Sequence, residues 1–353
     1  MVGIYSFSRK MTVQVSNLDE DSDEVNDRKA SEEANKLKSF ARLTSRVKIG
    51  IATYQIVLQS PGSLRIHWGP AFTQFINSMS FLNFDFVKIL PIQCYSEFNY
   101  IASMEAATLV PILITGLVVC IYLANSISLH ITLRQRQDEE QLQLAIKKLR
   151  VRFFSFFVMM SYLVLPGEAV KIIRMFSCMD VDPNHEAPDQ MPHKYLIVDM
   201  NVDCNSEAYM KGREFAVLML FVYPIGLPLM YLALLNFCKE KIKHRQDQDK
   251  KTLNLLNAVS IVDGISFLFE SYDPKYWYWE FIECTRRLLL TAAISFFQPG
   301  SSTQMVVAMT LALIYVSLYA HYQPYLSRSD NVLSELGQWQ IFITFFCALL
   351  ISK

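Results

Sequence analysis

Ionisable side chains inside apolar segments are where this 353-residue chain could do chemistry. Charge in hydrocarbon is costly and commonly marks a pathway for ions, protons or polar substrates. Two sets stand out. In Val151–Phe176, the residues Glu168, Lys171 and Arg174 follow Pro166 and Gly167 at intervals of three, which puts them on one helix face. Proline lacks an N–H and crowds the carbonyl four residues back, so Pro166–Gly167 predicts a kink or an interrupted hydrogen-bond ladder. The stripe reads as the wall of a water-filled vestibule, or as a set near the membrane interface with Glu168 and Lys171 paired locally and the long side chains snorkelling. The second set is Glu280, Glu283, Arg286 and Arg287, which can pair at helical spacing behind the aromatic run Tyr276–Trp279. Trp277 and Trp279 suit the headgroup layer. This stretch reads as a linker that transmits motion to the spans after it, or as an interfacial anchor.

Other chemistries find little support. Asp180–Met191, DVDPNHEAPDQM, opens like a calcium loop, but His185 occupies the sixth position, which needs Gly, and Met191 the twelfth, which needs a bidentate Glu. There is no His/Cys cluster with zinc spacing, no phosphate-cradling Gly-rich loop and no nucleophile elbow. No metal, cofactor or nucleic-acid partner is expected, and an enzyme is disfavoured.

The elements that must position these residues are apolar segments too long for a soluble domain. Ile101–Ser126 has one acid, Glu105, near its start and then an apolar run. That suffices to cross a hydrocarbon core of roughly 30 Å at about 1.5 Å per residue. Val151–Phe176, Val217–Cys238, Met305–Tyr322 and Trp339–Ser352 repeat the pattern, and Val47–Gln59 and Leu288–Phe297 are weaker candidates. One further break is predicted in Val217–Cys238, where Pro224, Gly226 and Pro228 interrupt a helix. With 52% hydrophobic residues, the chain reads as an all-α, polytopic transmembrane helical bundle of about seven spans.

Net charge is zero, so the distribution carries the information. Basic residues crowd Arg28–Lys48, Arg134–Arg152 and Lys239–Lys251, whereas Asp180, Asp182, Glu186, Asp189, Asp199, Asp203 and Glu207 fill the loop between the third and fourth spans. The positive-inside rule then predicts a cytoplasmic N-terminus, an extracytoplasmic loop 178–212 and a cytoplasmic linker 239–285. Residues 1–45, with the acidic run DEDSDEVND, read as a largely disordered cytoplasmic tail ahead of a transmembrane domain 46–353. The expected location is a plasma, secretory-pathway or other internal membrane, with the lipid bilayer as first partner.

Topology also sorts the seven cysteines. Cys94, Cys178 and Cys204 fall on the non-cytoplasmic side. Cys178 and Cys204 at the two ends of one loop could form a disulfide in an oxidising compartment or stay as free thiols. A bridge there would add roughly 3 to 4 kcal/mol by loop entropy. Cys94 is left odd.

An ordered set of motifs then carries a resemblance. FSC at Cys178 is followed by KYLIVDMNVDC ending at Cys204, VYPIGLPLMY ending at Tyr231, YWYWEFIECTRRLLL from Tyr276 and QPYLSRSDN from Gln323. Upstream, KIGIATYQI and NFDF also fit. The set resembles the multi-span region of TRP-like membrane proteins of algae and other protists, and more distantly the fungal TRP-like family related to polycystins, over about Arg46 to Asn331. The resemblance implies a cation channel or channel-like sensor, with inorganic cations as permeant species and a homo-oligomer around the pore. A secondary transporter and a non-conducting seven-span signalling or scaffold protein are the alternatives.

Overall fold

In a computed structural model, the chain is described at residues 39, 42–66, 68–83, 99–134, 139–181, 194–248 and 261–352. It divides into two units, 1–48 and 49–353. The first is helical over its described residues 42–48. Most of the predicted tail, as well as Cys94 and most of the calcium-like loop, lies outside the described residues.

The second unit is built from helices. They are α1 (49–64), α2 (Pro70–Ser78), α3 (Tyr100–Arg134), α4 (Glu139–Arg174), α5 (Glu207–Leu220), α6 (Leu227–Gln248), α7 (Trp279–Thr291), α8 (Ser302–Tyr322) and α9 (Arg328–Ile351). Among the described residues, five helical stretches are long and apolar enough to cross a membrane: Tyr100–Ile131, Leu142–Arg174, Glu207–Lys243, Ser302–Tyr322 and Arg328–Ile351. They correspond to the five stronger sequence candidates. The two weaker ones, Val47–Gln59 and Leu288–Phe297, do not meet that measure. In α1 the reason is polar content, with Thr53, Gln55, Ser60 and Ser63 among its residues; α7, at 13 residues, is too short and carries four charges as well. α1 and α7 nonetheless contribute buried residues to the core of the second unit.

Helix ends follow local chemistry. The Asn99 side chain accepts from Ala102 N at the start of α3, and Ser206 and Ser301 cap α5 and α8 in the same way. α8 stops where Gln323 turns left-handed at φ 43° and Pro324 follows. Asn331 then pins that turn, its side-chain amide bonding both N and O of Tyr325.

The loop after α4 departs from all-helical structure. β1 (Cys178–Asp180), β2 (Lys194–Leu196) and β3 (Asp199–Asp203) form a three-stranded antiparallel sheet in the order β1-β2-β3, with Cys178 opposite Leu196. The Cys178–Cys204 disulfide closes it. Tyr209 at the start of α5 donates to Met175 O, and Asp199 accepts from Tyr100 N, so the sheet holds the ends of α3, α4 and α5 together.

α4 is the central element. Of its most apolar window 61% is buried, against 11% for α3, so α4 lies inside the bundle and α3 on its periphery. Tyr162, Leu165 and Ile172 of α4, with Met175 just after it, meet Tyr231 and Leu235 of α6 in one core cluster. Ile56 and Leu64 of α1, Met305 and Ala308 of α8 and Ile341 and Phe345 of α9 form another. α1 and α9 approach so closely at Gly337 that a Cβ there would sit 2.6 Å from Thr53 Oγ1.

Within the linker 239–285, the described residues 261–269 form two short helical turns, Ile261–Gly264 and Ser266–Phe269. They do not run free: Val262, Ile265, Leu268 and Phe269 are buried in the α4–α6 core. Residues 239–248, assigned to the same linker, instead continue α6.

Candidate functional site

The sequence requires α7 to carry four charges in eight residues, and every one of them is buried. Glu280, Glu283, Arg286 and Arg287 expose no more than 3% of their surface. Burying ionised groups demands partners for all of them, since an isolated charge in a low-dielectric interior costs several kcal/mol.

Glu283 and Arg286 solve this between themselves. They stand three apart on α7, and the guanidinium engages the carboxylate twice, through Nη2 to Oε1 and through Nε to Oε2 at 3.1 Å. Nη1 of Arg286 reaches out of the helix to Gln338 Oε1 of α9 at 3.1 Å. Glu283 Oε2 also accepts from the Tyr319 hydroxyl of α8. One ion pair therefore fastens α7 to both arms of the α8–α9 hairpin. Glu280, one turn earlier, accepts from the Tyr272 hydroxyl at 3.0 Å.

Arg287 points the other way, towards α4 and α1. Its Nη1 donates to Tyr162 O at 3.2 Å and Gln55 Oε1 at 3.3 Å, and its Nη2 contacts Cys284 Sγ at 3.4 Å. The guanidinium carbon lies 3.8 Å from the centre of the Tyr162 ring, a cation–π contact in a desolvated setting. Arg287 makes no ion pair among the described residues, and its Nε has no hydrogen-bond partner among them.

The Tyr162 carbonyl is available because of Pro166. A proline four residues on has no N–H to offer it. Gln55 supplies the neighbouring position, its Nε2 donating to Leu163 O at 2.8 Å. Thus α4 continues through Pro166, and side chains from α7 and α1 bond the carbonyls along its weakened turn.

The remaining predicted residues lie elsewhere. Glu168 and Lys171 pair at 3.8 Å along α4. Arg174 leaves that pair and donates to Ser63 Oγ of α1 at 3.2 Å, its guanidinium lying over Gly62. Pro224 and Gly226 fall in a π-helical turn, Phe221–Gly226, that joins α5 to α6, while Pro228 lies in the first turn of α6. A Cβ on Gly226 would come within 2.6 Å of Phe221 O, so the wide turn needs glycine there. Trp277 is half-buried, whereas Trp279 is fully buried with its ring against Tyr319 and Tyr322 of α8.

Gln55, Tyr162, Gln338, Tyr319 and Tyr272 complete the network and were missed from the sequence. The available signal is weak: a lone glutamine in a marginal apolar segment, and another just before Trp339, where the last apolar segment begins. Tyr272 and Tyr325 also form an isolated β-bridge, with Asp273 N donating to Pro324 O at 2.9 Å and Leu326 N to Ser271 O at 3.1 Å. The segment before α7 is thereby joined to the α8–α9 turn. Burial pushes both the Tyr272 and Tyr325 phenols above their usual range.

No family model matches the chain, and no solved structure matches it. Among curated proteins it is similar to the Cysteine repeat modular protein A of Toxoplasma gondii, 25% identical over 149 residues. That match covers 40% of this chain and 4% of the length of the Toxoplasma protein.

Proposed function

We propose that this chain is a TRP-like multi-span membrane protein that acts as a cation channel or channel-like sensor, with α7 as the element that couples the α4 core to the α8–α9 hairpin. The single observation that carries the reading is the buried network. Of the four ionisable side chains on one short helix, three bond outward in two directions: Glu283 and Arg286 to α8 and α9, Arg287 to α1 and α4. A charged helix held at membrane depth is expensive, and such groups commonly mark functional machinery.

The reading includes seven crossings and a cytoplasmic N-terminus. Support comes from the direction of the two marginal segments. Gln55 and Ser63 of α1 meet Leu163 and Arg174 of α4 in the same order, and Arg287 and Ser295 meet Tyr162 and Ser177 likewise. α1 and α7 therefore run alongside α4 towards the disulfide end. In the assembled channel, homo-oligomeric contacts of the α8–α9 hairpin surround the path for inorganic cations.

A secondary transporter is the second reading, favoured by helix breaks in two successive apolar stretches, at Pro166–Gly167 and Pro224–Pro228. Against it, the Tyr162 and Leu163 carbonyls beside the first break are occupied by Arg287 and Gln55. A non-conducting signalling or scaffold protein is the third. Purified protein reconstituted in planar bilayers decides among them. Cation current under stretch, ligand or voltage is expected, and it should change in Arg287→Lys. Silence under all three stimuli, or tracer uptake that saturates and exchanges without current, rejects the channel.

A further inference from the structure

A cavity of about 550 Å³ lies between α3, α4 and the π-helical turn, apart from the charge network. Its walls include Pro111, Gly116 and Val119 of α3, Phe157 and Val164 of α4, and Val222 of the turn. These residues sit near the middle of three of the stretches long and apolar enough to span a membrane. Gly116 and Val119, on the outer wall, are themselves exposed, so the cavity opens away from the protein core.

Three hydroxyls face or edge this space, and each has its hydrogen committed. Thr115 Oγ1 donates to Pro111 O at 2.8 Å and Tyr223 Oη to Thr108 O at 2.7 Å. Ser161 Oγ donates to Val158 O at 3.0 Å and stands 2.7 Å from Tyr231 Oη, which is left to donate to it. Among the described residues the cavity therefore offers no spare side-chain donor for a carbonyl, carboxylate or phosphate. A ligand rich in acceptors would lose its hydration there without replacement.

We infer that this cavity binds an acyl chain of a bilayer lipid, packed against the π-helical turn between α3 and α4. The occupant follows from chemistry and place: the walls reward only hydrocarbon, and at mid-span the open side meets the hydrocarbon of the bilayer. A volume within the roughly 300–1,000 Å³ of ordinary ligand sites is large enough to retain a chain segment, not merely to graze one. The inference rests on the membrane reading of these helices, though not on conduction.

Gly116 offers a direct test. A Cβ at that position meets no atom within 4 Å, so a larger side chain can grow into the cavity without displacing backbone. The full chain is reconstituted in phosphatidylcholine vesicles doped with a phosphatidylcholine whose acyl chain carries a mid-chain diazirine. After irradiation, labelled residues are mapped by mass spectrometry. Labelling of cavity residues such as Val119 and Val164 should exceed that of Leu117 and Leu229, exposed apolar residues that do not line the cavity. In Gly116→Phe it should fall to the level of those controls. Gly116→Leu, a smaller filler, should give a partial loss and guards against misfolding of the larger variant. Equal labelling of cavity and control residues, or enrichment that survives both substitutions, overturns the inference. Absence of labelling even at Leu117 and Leu229 would instead overturn the membrane reading itself, and a protein that labels as expected yet never conducts overturns only the channel.

Discussion

Arg287 holds Tyr162 twice, placing its guanidinium 3.8 Å from the centre of the tyrosine ring and donating to that residue's carbonyl oxygen at 3.2 Å. The second contact exists because Pro166 cannot supply the N–H that carbonyl would otherwise take. Residues 125 apart in sequence are thus linked through a backbone defect in one helix and a charge in another.

That linkage predicts coupling between Arg287 and Pro166. Arg287→Met should destabilise the protein by about 3–5 kcal/mol, since it leaves the α4 carbonyl and Gln55 unsatisfied in the core. Pro166→Ala restores an intrahelical donor, so the same arginine substitution should cost about 1–2 kcal/mol less in that background. Thermal unfolding of the four proteins in one detergent measures the difference, and strict additivity would show the two sites to be independent. Arg287→Lys should not rescue, because an ammonium cannot reach Tyr162 O and Gln55 while stacking on the ring.

A different pattern is expected at Glu283 and Arg286. Removing either partner alone leaves a buried charge and should cost about 3–5 kcal/mol. The double variant Glu283→Gln with Arg286→Met removes both charges and should recover a large part of that loss. If the double variant is as unstable as the sum of the singles, the two residues do not act as a pair.

The Cys178–Cys204 bridge should protect both thiols from alkylation until a reductant is added, while buried Cys238 and Cys284 become reactive only on unfolding. With a sequence separation of 26, its loss should remove about 3.5 kcal/mol by loop entropy. Mass-shift alkylation followed by thermal unfolding of Cys178→Ser with Cys204→Ser checks both points. A double variant as stable as the parent would mean that the sheet needs no staple.

Alkaline pH should loosen the α8–α9 turn. Tyr272 and Tyr325 have phenols raised by burial, so the folded state keeps protons that the unfolded state gives up. Their contribution is fully present below the ordinary phenol range near pH ~10 and is lost as pH rises through and beyond it. Unfolding midpoints followed from pH ~8 to ~11.5 should fall at the upper end, and Tyr325→Phe should flatten the fall. A pH dependence unchanged in that variant would place the titration elsewhere.

The stronger apolar segments were legible because a long apolar run, whether α3 or α8, reports itself residue by residue. The charged helix was legible as chemistry but not as place. Glu280, Glu283, Arg286 and Arg287 announce pairing at helical spacing, yet nothing local says that α7 enters the core, because that depends on partners contributed by α1, α4, α8 and α9. Gln55 and Gln338 illustrate the difficulty: a lone glutamine looks like surface until a guanidinium from a distant segment meets it.

The residues themselves therefore determined the apolar helices and the prolines that weaken them, since each arises from local covalent chemistry or from composition over a short window. Only the tertiary structure decided that the carbonyls around the α4 break are bonded from α1 and α7, that one ion pair joins α7 to α8 and α9, and that an apolar cavity sits against the π-helical turn. Hydrogen bonds and packing between segments far apart in the chain have no local signature, because their free energy exists only once both partners have left water together.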